Sequence, residues 1–161
     1  MAGAAAGAVG AAVWAAQQPL DKRLFRSDYD DVELLGKLVT RDSGWQAAGL
    51  AIHMANGAAF GAVYALVRPL IPGPAQTAGV AAGLAEHLAT WPLTAVVDRS
   101  LTGNRRAFAQ SAWRHALFGL VLGELERRLN PEGRFEPLEQ VPVSSNGHGN
   151  IEHAAAGATE A

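Results

Sequence analysis

Three histidines, a glutamate and an arginine interrupt stretches of chain that otherwise carry almost no charge. They fall in pairs: His53 with Asn56, Glu86 with His87, and Arg114 with His115. Gln17, Gln18 and Glu124 sit in similar surroundings. Imidazole titrates near neutral pH, so a layer of histidines can relay protons. Imidazole with a carboxylate is also a common ligand set for metals. Polar side chains on facing helices can instead line a path for a small solute, or bond across interfaces and hold a bundle together. Arg114 is expected to pair with Glu86. Neighbouring residues point in different directions on a helix, so Glu86 and His87 are not expected to serve one site together.

No catalytic motif accompanies these residues. The chain has no P-loop, no G-x-S-x-G and no H-E-x-x-H. Serine and threonine are scarce around the histidines, so a hydrolase has little to work with. The absence of cysteine excludes a disulfide scaffold and a thiolate metal site. A formal net charge of −2 argues against a nucleic-acid partner held by charge. No catalytic residue and no cofactor is assigned, and a metal site stays open as an alternative.

The elements that must position these groups are marked by missing charge. Alanine and glycine make up about a third of the chain, and charged residues only 17%. Ala2 to Leu20 and Ser43 to Val67 contain no charged residue, Pro69 to Val97 only Glu86, and Ala107 to Leu125 only Arg114 and Glu124. A helix needs about 20 mostly apolar residues to cross a bilayer. Four membrane-type helices are therefore expected, at about 2–20, 46–68, 76–97 and 108–127. A soluble bundle would show charged outer faces, and the first two segments have none. Measured along a helix rising about 1.5 Å per residue, His53, His87 and His115 fall in one layer, roughly 10–15 Å from the side of the first and third connections. Trp45, Trp91 and Trp113 lie near the span ends, where aromatic belts form.

Small residues recur at spacing four: Gly3 and Gly7, Gly57 and Gly61, Gly79 and Gly83, Gly119 and Gly123. This pattern lets helix backbones approach closely in lipid. It is expected to pack the helices and to offer faces for a homo-oligomer. A two-helix unit also repeats. Ala2-Gly3-Ala4-Ala5-Ala6-Gly7 resembles Ala78-Gly79-Val80-Ala81-Ala82-Gly83, and each is followed by a Trp, a Pro-Leu pair and an Asp-basic pair. Ala58-Ala59-Phe60-Gly61 likewise resembles Ala116-Leu117-Phe118-Gly119. Two helices return the chain to the same side, so the halves are expected to be parallel repeats.

The first connection holds an expected short amphipathic helix at about 30–41. Asp30, Asp31 and Glu33 suit its first turn, and Val32, Leu35, Leu38 and Val39 recur at helical spacing. It can lie on a membrane surface or dock on the bundle. The first and third connections hold more Lys and Arg than the opposite side, which places them in the cytoplasm and both termini outside. Residues 129–161, with His148 and His153, read as a disordered polar tail, leaving 1–128 as the membrane domain.

Trp14-Ala-Ala-Gln-Gln-Pro-Leu-Asp-Lys-Arg-Leu, with His53…Asn56-Gly57-Ala-Ala-Phe60-Gly61 and Trp113-Arg-His115-Ala-Leu-Phe118-Gly119, resembles small polytopic four-helix membrane proteins of bacteria. The resemblance covers about residues 2–128 and brings no catalytic residue with it. It implies an all-α protein of the cytoplasmic membrane, with the lipid bilayer as its main partner. The roles it leaves open are a structural or interaction protein, a small transporter or proton conductor using the His/Glu layer, and a soluble helical protein binding a metal or haem.

Overall fold

The described residues form five α-helices and no strand; α1 and α5 extend past the expected 2–20 and 108–127 into the charged residues beside them. The computed structural model describes residues 1–131. The expected tail, with His148 and His153, lies outside these residues apart from its first positions. The helices are α1 (Ala2–Phe25), α2 (Asp31–Val39), α3 (Trp45–Val67), α4 (Ala75–Val97) and α5 (Arg105–Leu129), with single 3-10 turns at Arg68–Leu70 and Arg99–Leu101.

Local chemistry explains the boundaries. The Asp30 carboxylate accepts from the Glu33 backbone N–H at 2.9 Å and starts α2, satisfying one of the orphan donors of a helix N-terminus. Asn104 does the same for α5 through the Ala107 N–H. Arg26 stops α1 in the left-handed conformation, at φ 51°. α1 continues past Pro19, and α4 past Pro92. Both prolines are exposed, so the backbone bond each removes is lost on an outer face.

Glycines set the packing. Gly3 and Gly7 of α1 lie against Gly61 and Gly57 of α3, so closely that a Cβ has no room. Gly79 and Gly83 of α4 meet Gly119 and His115 of α5 in the same way, with Gly123 against Ala75. All four glycine pairs are therefore covered within the chain. The glycine faces that the sequence offers for a homo-oligomer are each filled by a partner helix of the same chain. α2 docks on α3 through a further close contact, Gly36 against Gly49, while Leu38 and Val39 at its end stay exposed.

The helices are ordered α3–α1–α5–α4, with α2 on α3. Gly3 meets Gly61 while Ala11 meets Gly57, so α1 and α3 are antiparallel. Asp21 meets Arg114 while Gly10 meets Phe118, so α1 and α5 are antiparallel too. Gly79 approaches both Gly119 and Gly123, and Gly83 approaches His115, which makes α4 and α5 antiparallel as well. α3 and α4 stand at opposite edges and make no packed interface with each other.

Two helices, Trp45–Leu70 and Ala75–Val97, are long and apolar enough to cross a membrane, with mean hydropathies of 1.5 and 1.2. α1 and α5 do not reach that level among the described residues, which differs from the expectation of four. They are the two central helices, and Asp21, Gln110, Ser111, Arg114 and Glu126 on them are buried.

Candidate functional site

Several charged and polar side chains are buried, and several large apolar ones are exposed. The largest fully buried side chains include Arg114, His87, Gln110, Glu126 and Asp21, whereas Leu66, Leu70, Leu88, Leu93 and Val96 are exposed.

Arg114 organises the buried polar groups. Its Nε donates to Asp21 Oδ2 at 2.6 Å, its Nη2 to Asp21 Oδ1 at 2.7 Å and its Nη1 to Asp31 Oδ1 at 2.7 Å. The guanidinium thus ties α5 to α1 and to the start of α2. Gln110 Nε2 donates to Asp21 Oδ1 at 2.6 Å, Gln17 to Asp21 Oδ2, and the Trp14 indole N–H to Asp31 Oδ1 at 3.2 Å. The expected Arg114–Glu86 pair does not form. Arg114 lies on the α1 side of α5, and the aspartates reach it first.

Two buried carboxylates face one guanidinium. His53 stands beside them, with Nδ1 3.2 Å from Asp31 Oδ2 and Nε2 3.2 Å from the Ala11 carbonyl.

The histidines meet around Trp14. Its ring is edge-on to His53 at 5.0 Å and to His115 at 4.5 Å, and His115 lies 4.9 Å from His87 between ring centroids. Ser111 Oγ stands 3.2 Å from His87 Nδ1 and 3.4 Å from His115 Nδ1. His115 Nδ1 donates to the Ser111 carbonyl at 2.7 Å, and its Nε2 is 3.2 Å from Glu86 Oε2. The three rings thus lie side by side around Trp14 and Ser111. His87 Nε2 is buried without a hydrogen-bond partner among the described residues.

A cavity of about 200 Å³ opens at this layer. It lies in the cleft between α3 and α4. Trp14 of α1 and Ser111, His115 and Phe118 of α5 form its floor, and Tyr29, Asp31, Leu34 and Leu35 close one end. His53, Asn56, Glu86 and His87 also line it, with Asn56 exposed at the rim. Glu86 and His87 thus border the same cavity, against the expectation from their adjacency. His87 is fully buried and Glu86 reaches in from the partly exposed side, so one space is wide enough to receive both. At this volume the cavity is smaller than the roughly 300–1,000 Å³ typical of drug-sized sites, which suits a compact solute.

A wider polar groove of about 690 Å³ lies beyond α2, lined by residues such as Arg26, Asp28, Glu33, Lys37 and Arg106. Tyr29 and Leu34 border both spaces. Burial, reinforced by the Asp31 charge, pushes the Tyr29 hydroxyl well above its usual range. Burial would also raise the Asp30 carboxyl, but hydrogen bonds from the Lys22 ammonium and the Glu33 N–H outweigh it and hold Asp30 below its usual range.

Among the described residues, no group of three or more His, Asp or Glu side chains is placed to hold a metal ion. Glu124 is elsewhere, near the end of α5, bonded to Gln76, Arg127 and Arg128. Asp21, Asp31, Trp14, Gln110 and Ser111 are site residues that the sequence reading missed. Ser111 stands four residues before His115, one helical turn away, and that spacing was the available signal. No family model, curated protein or solved structure matches the chain, so its family is not assigned.

Proposed function

We propose that the chain is a small protein of the cytoplasmic membrane that passes a proton or a compact solute through the cavity between α3 and α4. In this reading α1, α3, α4 and α5 all cross the bilayer. The observation that carries it is the inverted distribution of polarity. Arg114 is 0% exposed and Asp21 1%, while Leu66 is 79% exposed and Leu70 77%. In water that arrangement strands apolar surface at about 25 cal/mol per Å². In lipid the same surface is matched, and charges belong inside, paired or facing a cavity.

The four-span reading gains support from contact register. Gly3 against Gly61 in α1–α3 has its counterpart in Gly79 against Gly119 in α4–α5, at the positions the sequence repeat aligns. In this reading the chain is two parallel two-helix units, with α2 in place of the short turn of the second unit. A purely structural membrane role needs the Arg114 network but gives no use to a cavity-lining His87 whose Nε2 has no hydrogen-bond partner among the described residues. For a soluble metal protein, no group of three or more ligand side chains is placed among the described residues, and the exposed leucines of α3 and α4 suit lipid better than water.

Reconstitution tests the proposal. Vesicles containing the full chain should dissipate an imposed pH gradient faster than empty vesicles, and His87→Ala should slow this severalfold. Dissipation at the rate of empty vesicles leaves the structural role. Release of the native protein from membranes by alkaline carbonate overturns the membrane reading itself.

A further inference from the structure

We propose that the end of the bundle formed by the first and third connections binds anionic phospholipid, with Arg26 and the arginines that open α5 holding headgroup phosphates. The inference rests on reading the chain as a membrane protein and adds the class of lipid gathered at one of its two ends.

The basic residues are sorted by end. Lys22 pairs with Asp30 and Lys37 with Glu33, and Arg114 is held by Asp21 and Asp31. At the opposite end, where α3 and α5 finish, Arg68 donates to the Ile71 and Gly73 carbonyls, and Arg127 and Arg128 pair with Glu124. All of these are committed within the chain. Arg23, Arg26, Arg41, Arg99, Arg105 and Arg106 are exposed, and none of them is in an ion pair among the described residues. They share one end, because α1 and α4 finish where α3 and α5 begin. Arg26 and Arg106 even line the same groove. Asp28, Asp42 and Asp98 are the carboxylates of these two connections outside any ion pair. The arginines outnumber them, so this end is net positive.

Folding gives no reason for arginine at the key positions. Arg26 holds φ 51° at the end of α1, in the left-handed region that glycine takes without penalty and other residues do not. Arg105 and Arg106 open α5, whose first turn has no acidic residue, although a helix N-terminus favours anions and disfavours cations. An external anion gives both placements a use.

The neighbours select a lipid. Leu20 and Leu24 stand beside Arg23, Leu38 and Val39 precede Arg41, and Val96 and Val97 precede Arg99, all of them exposed. A soluble phosphate compound leaves these apolar side chains in water. A phospholipid covers them with acyl chains and places its phosphate at the arginines. The planar guanidinium fork matches phosphate oxygens two at a time, and basic clusters beside membrane helices attract anionic headgroups.

The test reconstitutes the full chain into vesicles of phosphatidylcholine and phosphatidylglycerol, with bromine on the acyl chains of one lipid or the other. Bromine quenches tryptophan on contact, so the two quenching curves give the relative affinity. Phosphatidylglycerol should be favoured at least about fivefold at low salt, the contribution of a single arginine near an anionic surface. The preference should fall towards one at about 1 M salt, where screening acts within about 3 Å. Arg26→Gly should melt no lower than the parent, since glycine suits that backbone, yet lose severalfold in preference. Arg105→Gln with Arg106→Gln should lower it further. Excess glycerol 1-phosphate should not compete.

Equal quenching by the two lipids, or a preference that salt leaves unchanged, overturns the proposal while the chain stays a membrane protein, and both need only the unaltered protein. Full preference in the Arg26→Gly, Arg105→Gln, Arg106→Gln variant overturns it as well. Competition by glycerol 1-phosphate overturns the lipid in favour of a free phosphate ligand. If neither lipid quenches, the chain is not in the bilayer, and the membrane reading falls together with this proposal.

Discussion

Arg114 grips Asp21 with two parallel bonds, Nε to Oδ2 at 2.6 Å and Nη2 to Oδ1 at 2.7 Å, and neither side chain is exposed. This fork joins the first and last helices across most of the described sequence. Bidentate pairs of this kind are among the stronger charge-assisted contacts, and breaking one inside a protein strands a charge.

Arg114→Leu should therefore destabilise the protein by about 3–5 kcal/mol, since Asp21 and Asp31 lose their compensation. Arg114→Lys keeps the charge but not the fork, and should fall between the two. Thermal unfolding in detergent measures both. A Leu variant as stable as the parent would show that the network contributes nothing to folding.

Close helix contact depends on missing side chains. Gly119→Ala places a Cβ against the Gly79 carbonyl of α4, where only backbone lies in the way. The helices must part, at a cost of about 1–3 kcal/mol. Gly44→Ala is the comparison, because a Cβ there meets nothing within 4 Å. Its φ of −83° suits alanine, and its effect should stay within about 0.5 kcal/mol. Equal melting shifts for the two variants would contradict the close packing of α4 on α5.

Tyr29 and Tyr64 are the two tyrosines of the chain, so Tyr64→Phe isolates Tyr29 for spectroscopic titration. Tyr29 should ionise well above the usual value near 10, because burial and then Asp31 disfavour the phenolate. The sign follows from linkage. The folded state holds this proton more tightly than the unfolded chain, so the contribution is complete below the unfolded value and is lost as pH rises through the folded one. Tyrosinate absorbance appearing at the ordinary pH would place the hydroxyl in water.

Tyr29 and Leu34 stand between the outer groove and the inner cavity. Cysteine is absent from the chain, so Ser111→Cys makes a single thiol at the cavity floor. In membranes, a small hydrophilic thiol reagent should reach it slowly from the groove side, and Leu34→Ala should speed the reaction severalfold. Identical rates would mean that Leu34 does not separate the two spaces.

The sequence by itself determined the helices, because long charge-free segments bounded by charged connections leave little else for the backbone to form. It also determined the stripes of small residues, and those stripes carried more than packing. His53, His87 and His115 each stand four residues from a glycine of a stripe, at Gly57, Gly83 and Gly119. One helical turn puts each ring on the face that its glycines bury. The inward direction of all three was therefore legible. Partner choice was not. Glu86 and Arg114 look like a pair from their depth alone, yet the pairing depends on which face of α5 meets which neighbour. Asp21 belongs to the end of a helix that runs beyond its apolar stretch, and Asp31 to a connection that folds back over the bundle. Their distance from Arg114 along the chain hides a contact that only the order α3–α1–α5–α4 creates. The tertiary structure also set α1 and α5 at the centre, where Asp21, Gln110, Arg114 and Glu126 are buried, a position that hydropathy along one segment cannot reveal.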